Sequence, residues 1–358
     1  MYTQYVNDIL ITTNFTITKM GAPTKVTPIQ FLKYMSKLKT SFKKPLHYLD
    51  TLEVTSDYFK DKTHATQYYK AIRKHKTNVK LKSIIDSQDA PDIKKRYWTT
   101  YHCNNVLLQD GNKFTGSLCR KRWCTECCRI KTAELTNGYK QPMQDLGQLY
   151  FVTLTRPNVK ARQLKSEIKK MLSGFQKIKD NLRKTYKIKL QGIRKIEITY
   201  NHKTDSYHPH FHFIQDNLHA TELMQDLWLQ QFSNASIKGQ DIRSIDMQDE
   251  NSFIELFKYA TKETTKDGAT YSGEVLHTIY NSIQGLRIYQ TYGSIRKVKK
   301  PIEAEQEQTE LSYLDNQMEI WYFEQDYKDW ITASGELLID TISIQHQIKN
   351  KKLINLPL

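Results

Sequence analysis

Three histidines alternate along one short segment, Tyr-His-Pro-His-Phe-His-Phe-Ile-Gln at residues 207–215. In an extended strand successive side chains point to opposite faces. His208, His210 and His212 would therefore share one face, while Phe211 and Phe213 would share the other. The phenylalanine face must be buried against a core, and the imidazole face is left for chemistry.

A second strand candidate lies directly before this segment and predicts a hairpin. It reads Gly-Ile-Arg-Lys-Ile-Glu-Ile-Thr-Tyr at residues 192–200, and the connecting Asn-His-Lys-Thr-Asp-Ser has a turn-forming composition. If Tyr200 pairs with Tyr207, Glu197 lies directly opposite His210. A slip of one residue would move Glu197 to the other face, so the prediction depends on the turn.

Glu197, His210 and His212 would then be close enough to share one divalent cation. Two imidazoles and a carboxylate leave positions open for water or substrate, which is typical of a catalytic site rather than a structural one. Two alternatives stay open: the histidines are polar residues on a solvated sheet face, or they form a structural zinc site.

The surrounding pattern predicts an α+β fold with a mostly antiparallel sheet and helices packed on it. Leu-Tyr-Phe-Val-Thr-Leu-Thr at 149–155 is a strand candidate that ends at a turn signal, Arg-Pro-Asn. After the hairpin we expect a helix at about 219–234, a strand at about 240–247 and a helix at about 251–264. Between the first strand and the hairpin, helical spacing connects six apolar residues: Leu164, Ile168, Met171, Phe175, Ile178 and Leu182.

The charge of the chain favours a polyanionic partner such as nucleic acid. Its 358 residues carry a formal charge of +16, although a merely soluble basic protein is the alternative. Residues 1–100 and 151–200 carry net charges of +10 and +11, whereas residues 301–350 carry −9. With no leader-like start and no long apolar run, the sequence predicts a soluble, cytoplasmic protein without a membrane partner.

All five cysteines lie between residues 99 and 135, which predicts a structural zinc site rather than disulfides. The expected ligands are Cys103, Cys119, Cys124 and Cys127. Because the first pair is widely spaced, His102 or Cys128 could replace one of them, and plain buried thiols are the alternative. The intervening Arg120, Lys121, Arg122 and Trp123 offer basic charge and a stacking surface for DNA; a basic loop with a packed tryptophan is the other interpretation.

The helix expected at 251–264 carries a polar stripe of Glu255, Tyr259 and Lys262 at i, i+4 and i+7, opposite Phe253 and Phe257. By itself such a stripe is usually a solvated face with an ion pair.

The polar stripe belongs to the last of three motifs that follow one another along the chain. They are Phe-Val-Thr-Leu-Thr at 151–155, His-Pro-His-Phe-His-Phe-Ile at 208–214 and Lys-Tyr-Ala-Thr-Lys at 258–262. Together they resemble the rolling-circle replication initiators of small bacterial plasmids, within the HUH endonuclease superfamily. The resemblance covers about residues 99–298 and includes the cysteine group. It implies an HUH-type antiparallel sheet and metal-dependent nicking of one origin strand.

The resemblance also assigns roles to individual residues. His210 and His212 are the metal-binding pair and Glu197 the third ligand, for Mn²⁺ or Mg²⁺, with His208 as a supporting neighbour. Tyr259 matches the nucleophile and Glu255 a glutamate implicated in terminating hydrolysis. Lys262 matches a lysine that positions the phosphate or the metal.

These inferences predict four regions: a basic, mainly helical N-terminal region (1–98) for DNA recognition, a cysteine-rich zinc module (99–138), a nicking and joining domain (145–298), and an acidic linker with a C-terminal segment (301–358). The expected partners are plasmid origin DNA, single-stranded at the nick site, host helicase and polymerase, and a second copy in a homodimer. The alternatives are an HUH transposase or relaxase, and a non-enzymatic zinc-dependent DNA-binding regulator.

Overall fold

A five-stranded antiparallel sheet forms the centre of the protein in the computed structural model, which describes residues 58–245, 256–257, 263–264, 270–298 and 318–354. All of these residues belong to one compact unit that spans residues 47–358. The α+β class and the antiparallel sheet predicted from the sequence are confirmed.

Seven helices and nine strands make up the described part of the chain. The helices are α1 (Lys62–Asp86), α2 (Pro91–Tyr101), α3 (Thr125–Gln144), α4 (Ala161–Lys184), α5 (Leu218–Gln231), α6 (Gly273–Ser282) and α7 (Thr341–Ile354). The strands are β1 (Val106–Asp110), β2 (Lys113–Gly116), β3 (Leu149–Thr155), β4 (Gly192–Asn201), β5 (Ser206–Gln215), β6 (Asp241–Ile245), β7 (Tyr289–Tyr292), β8 (Glu319–Glu324) and β9 (Asp329–Ile331).

The main sheet has the strand order β6-β3-β5-β4-β7, so the predicted hairpin β4–β5 lies near its centre. The register of this hairpin is the predicted one: Tyr200 pairs with Tyr207, and Glu197 pairs with His210. On the other side of β5, Thr155 pairs with His210 and Thr153 with His212.

One face of the sheet is apolar and covers the larger core. Phe211 and Phe213 are fully buried there, and the ring of Phe175 on α4 lies 4.9 Å from the ring of Phe213. The six apolar residues predicted to share one face of α4 are all buried in this core. Each such side chain contributes about 1.5–3 kcal/mol of transfer free energy, so this face anchors β5 and fixes which side chains point the opposite way.

The other face carries the three histidines and is covered over part of its area by a second core. This core contains Phe151 and Ile214 from the sheet, Leu135 and Met143 from α3, and the helical residues 256–257. The prediction of a helix up to residue 264 is wrong at its C-terminal end, because Glu263 is not helical and Thr264 forms a β-bridge with Thr270. The rest of the predicted helix at 251–264 lies outside the described residues.

A second, four-stranded sheet joins two distant parts of the chain in the order β2-β1-β8-β9. Strand β8, from the aromatic segment after the acidic stretch, pairs with β1, which lies between the first two cysteines. Trp330 on β9 is fully buried, and its indole N–H donates to the carbonyl of Asn104 at 2.9 Å. The C-terminal segment is therefore packed directly against the cysteine region.

Helices α1 and α2 agree with the helical character expected for residues up to 98, whereas residues 1–57 and 299–317 lie outside the described residues. Within the described part of the chain, each helix is too short or too polar to cross a bilayer.

Replacing Trp330 with alanine should lower the free energy of unfolding by about 3–5 kcal/mol, because it empties a fully buried site between the two parts of the second sheet. Urea unfolding followed by circular dichroism measures this change. Replacing the exposed Tyr322 on β8 with alanine is the control and should cost far less. A loss below about 1 kcal/mol for Trp330→Ala would show that this packing contributes little.

Candidate active site and cysteine cluster

Glu197, His210 and His212 meet on the open face of the main sheet, as the sequence predicts. The Nε2 atoms of His210 and His212 lie 3.7 and 3.6 Å from the carboxylate oxygens of Glu197. Donors bound about 2.1 Å from one cation lie roughly 3.0–3.4 Å apart. Both Glu–His distances exceed this range by a few tenths of an ångström, and all three ligand atoms lie within 4.8 Å of one another, so small side-chain movements would let these residues hold a divalent ion.

Both imidazoles are oriented through their second nitrogen. His210 Nδ1 lies 3.1 Å from the carbonyl oxygen of His208, and His212 Nδ1 lies 3.1 Å from Oγ1 of Thr153. When Nδ1 donates to such an oxygen, the lone pair is on Nε2, which faces Glu197. Metal-binding histidines are commonly held in this way.

Lys195 is a further member of the site that sequence reasoning missed. Its Nζ donates to Oε2 of Glu197 at 2.7 Å, and both side chains are almost completely buried. Burial alone would raise the pKa of Glu197, but the adjacent His210 and the charge of Lys195 outweigh it and hold that pKa well below its usual range. The hairpin register pairs Lys195 with His212, so the arithmetic that found Glu197 could also have found Lys195.

His208 lies beside the pair rather than in the ligand set. Its ring stacks on that of His210, with centroids 5.2 Å apart. Burial, followed by the nearby His210, lowers the pKa of His208 to about 4. The neutral ring therefore adds no positive charge next to the candidate cation.

Tyr259, Glu255 and Lys262 lie outside the described residues, but Phe257 in the same predicted helix is described. Phe257 is fully buried on the histidine side of the sheet, where its ring stacks on Tyr139. Its carbonyl accepts hydrogen bonds from Thr132 Oγ1 at 2.7 Å and from the Tyr289 hydroxyl at 3.1 Å. In the sheet Tyr289 pairs with Lys195, and Lys195 pairs with His212 on the next strand. The hydrogen bond from Tyr289 therefore holds Phe257 at the same level of the sheet as His212.

The four predicted cysteine ligands form one cluster. The sulfur atoms of Cys103 and Cys127, Cys103 and Cys124, and Cys119 and Cys127 are 3.6, 3.6 and 3.7 Å apart. A tetrahedron with Zn–S bonds of about 2.3 Å has edges of about 3.8 Å. The sulfur geometry therefore fits a tetrathiolate zinc site closely.

Backbone and lysine groups around the sulfurs suit negatively charged thiolates. The N–H of Arg120 donates to Cys127 Sγ at 3.2 Å, and the N–H of Cys119 donates to Cys103 Sγ at 3.4 Å. Arg120 has a φ of 54°, which is uncommon outside glycine. Lys74 is buried in the cavity wall next to Cys103 and Cys124; sequence reasoning did not identify it, because nothing local links α1 to the cysteines.

Of the two alternative ligands, Cys128 lies outside the four-sulfur group: its Sγ donates to the carbonyl oxygen of Arg122 at 3.0 Å. His102 is also outside the group, and burial lowers its pKa.

The loop predicted to bind DNA divides into two parts. Arg120 and Lys121 are exposed. Arg122 donates to the carbonyls of Ile283 and Leu286 at 2.8 and 2.6 Å, at the C-terminal end of α6. Trp123 packs 4.9 Å from the ring of Tyr97 and donates to Thr100 Oγ1, so it has the packed position that was the alternative interpretation of this loop. A role in DNA binding stays a prediction for all four residues.

An antiparallel sheet with a carboxylate and two imidazoles on one face defines a candidate metal-dependent protein of the α+β class. Comparison with known proteins identifies the family. The family model described as "Replication protein" (Rep_1) matches residues 112–333. This is more than half of the chain, so the chain belongs to the Rep_1 family of replication proteins, and the resemblance to plasmid replication initiators is confirmed.

Similar curated proteins all carry the name "Protein rep". The one from Staphylococcus aureus is 29% identical over 185 residues, which are 45% of this chain and 80% of that protein. The one from Bacillus amyloliquefaciens is 24% identical over 224 residues, 53% of this chain and 66% of that protein. A third, from Bacillus sp, is 31% identical over 137 residues, 35% of this chain and 44% of that protein. No solved structure matches the chain.

If the four-sulfur cluster binds zinc, replacing Cys127 with serine should remove most of that zinc, because one corner of the sulfur tetrahedron is lost. Metal analysis of the purified chain gives the zinc content per protein. Cys128→Ser is the matched control and should keep the wild-type zinc content. Equal zinc loss in the two variants would contradict the four-sulfur assignment.

Replacing Lys195 with methionine should destabilise the metal-free protein by about 3–5 kcal/mol, because Glu197 loses its buried partner. Added Mn²⁺ should restore part of the lost stability, since the cation can neutralise the carboxylate of Glu197 in place of Lys195. It should therefore raise the melting temperature of Lys195→Met more than that of the wild type. The exposed Lys189→Met provides the control. Thermal unfolding with and without Mn²⁺ tests this, and a metal-free Lys195→Met protein as stable as the wild type would disprove the role.

Proposed function

We propose that this replication protein initiates rolling-circle replication by nicking one strand of its plasmid origin. The observation that carries the proposal is the buried group of Glu197, His210 and His212, held in one register on the open face of the sheet. Mn²⁺ or Mg²⁺ bound there would polarise the scissile phosphate and stabilise the charge that develops on it.

The proposed nucleophile is Tyr259. Its phenol oxygen attacks the phosphorus atom, loses its proton in that step and forms a 5′-phosphotyrosine, while the bond to the 3′ oxygen breaks. The products are a covalent protein–DNA adduct and a free 3′-OH. That 3′-OH primes synthesis by a host polymerase, with a helicase opening the duplex ahead of it, and the tethered 5′ end retains the phosphoester bond for later rejoining.

Glu255 and Lys262 have supporting roles in the proposal. Termination requires a second attack at phosphorus, by water or by an incoming 3′-OH, and Glu255 takes the proton from that group as general base. Lys262 positions the phosphate or the metal through its charge.

The position of Phe257 supports this arrangement. Phe257 precedes Tyr259 by two residues, and consecutive Cα atoms are about 3.8 Å apart. Phe257 is anchored on the histidine side of the sheet by Thr132 and Tyr289. The chain from this anchor to the proposed nucleophile is therefore short, and it starts on the correct face.

The remaining parts of the proposal concern the other regions. Zn²⁺ bound by the four cysteines would stabilise the module at 99–138, next to the nicking and joining domain at 145–298. Residues 1–98 would contribute to recognition of origin DNA, together with the exposed Arg120 and Lys121. Residues 301–358 would form an acidic linker followed by the segment that packs on β1. The protein would act in the cytoplasm, where its plasmid is, and as a homodimer if two copies meet at the origin.

Replacing Tyr259 with phenylalanine should abolish the covalent adduct on supercoiled DNA that carries the chain's own origin, while DNA binding persists. Denaturing gels after nuclease digestion detect the adduct. Tyr327→Phe, at a half-exposed position, is the control and should form adducts at the wild-type yield. Adducts at normal yield in Tyr259→Phe would identify another nucleophile. Binding without nicking by the wild type would instead indicate a DNA-binding regulator.

A further inference from the structure

The outer face of α4 is a basic surface that has no role in the proposed nicking chemistry. At 100° per residue, seven exposed basic side chains of this helix fall within an arc of about 140°. We call them the α4 basic face: Arg162, Lys165, Lys169, Lys170, Lys177, Arg183 and Lys184.

Acidic residues of α4 do little to offset this charge. Glu167 is buried and pairs with Arg156. Asp180 lies within the arc and pairs with Arg183 at 3.1 Å, which leaves six basic side chains for which the helix itself supplies no acid. Like charges at i, i+4, such as Lys165 and Lys169, destabilise a helix. A polyanion bound along this face would relieve that repulsion.

The α4 basic face points away from the candidate metal centre. Phe175 on the inner side of α4 packs against Phe211 and Phe213, whereas His210 and His212 lie on the opposite face of the same strand. A molecule bound to the α4 basic face would therefore leave the metal centre free for a single strand.

The length and stiffness of the face suit double-stranded DNA. At 1.5 Å per residue, Arg162 and Lys184 are about 33 Å apart along the helix axis, close to the roughly 34 Å of one turn of B-form DNA. A stiff duplex presents its phosphates to this straight row of charges without being ordered first, whereas a flexible single strand would lose conformational entropy on binding along it. Lysine contacts with phosphates do not depend on base sequence.

We propose that the α4 basic face binds the phosphate backbone of double-stranded DNA, independently of its sequence. This inference rests on the proposed function in one respect: the duplex next to the nick site would lie on the α4 side of the sheet, opposite the metal centre.

Lys160, next to the N-terminal end of α4, donates to the carbonyls of Thr204 and Asp205 at 2.9 and 3.0 Å. That end of the helix therefore lies beside the β4–β5 turn, at the edge between the two faces of the sheet.

The test uses two variants of the full chain that each lose three positive charges. One is K165Q/K169Q/K177Q on the α4 basic face. The matched control is K113Q/K131Q/K238Q, at exposed positions outside α4 and outside residues 1–98. Glutamine is close to lysine in helix propensity, so α4 should be retained, and circular dichroism checks this. Fluorescence anisotropy measures binding to a duplex of arbitrary sequence with about 30 base pairs, or about three turns, over a range of salt concentrations.

The α4 variant should bind the duplex more weakly, and the slope of log K against log salt should fall by two to three units, because each phosphate contact contributes about 0.9. Each single glutamine variant should lower the slope by about 0.9. The control should keep the wild-type slope. Equal weakening in both triple variants, or wild-type binding by the α4 variant, would overturn the proposal.

Two further readouts separate this inference from the proposed function. Binding to a single-stranded oligonucleotide should be nearly unchanged in the α4 variant; an equal loss for single strands would overturn the assignment to duplex DNA. Adduct formation on a single-stranded origin oligonucleotide should also be retained. If no variant and no wild-type protein forms adducts, the proposed nicking fails while the duplex result still decides the role of α4.

Discussion

The pairing register of β4 and β5 is the constraint on which the rest of the site depends. Side chains in a strand alternate between two faces, so a shift of one residue would move Glu197 to the phenylalanine side of the sheet. Burial of Ile196 and Ile198 of β4 in the core under α4 makes such a shift costly, because these side chains would leave the core while the Glu197 carboxylate entered it. The apolar core on one face thereby holds the ligand geometry on the other.

Charge compensation explains how the carboxylate of Glu197 can be buried at this site. A buried carboxylate is unfavourable unless it is paired. Lys195 supplies a positive charge at 2.7 Å from this carboxylate, and the Nε2 atoms of His210 and His212 lie beside its two oxygens. The negative charge of cysteine thiolates would be compensated in a similar way, since the sulfurs accept hydrogen bonds from backbone N–H groups and lie near Lys74. In both groups the ligand side chains are held by hydrogen bonds from the surrounding chain.

The sequence predicted the features that local patterns encode. Alternation identified the two faces of β5, turn composition identified the hairpin, and helical spacing identified α4. Pairings between distant segments had no such signal: β1 and β8 are more than two hundred residues apart, and the contacts of Phe257 with Thr132 and Tyr289 join three separate segments. Trp123 shows a different limit, because a tryptophan among basic residues is compatible with either stacking on a base or packing on Tyr97.

The most direct test of the central claim is the electron paramagnetic resonance of Mn²⁺ added to the full chain. If Glu197, His210 and His212 bind one cation, one Mn²⁺ per chain should show nitrogen couplings from two imidazoles, and His212→Ala should lose one of them. Bound Mn²⁺ without nitrogen coupling, or binding that is equally tight after Glu197→Ala, would contradict the account.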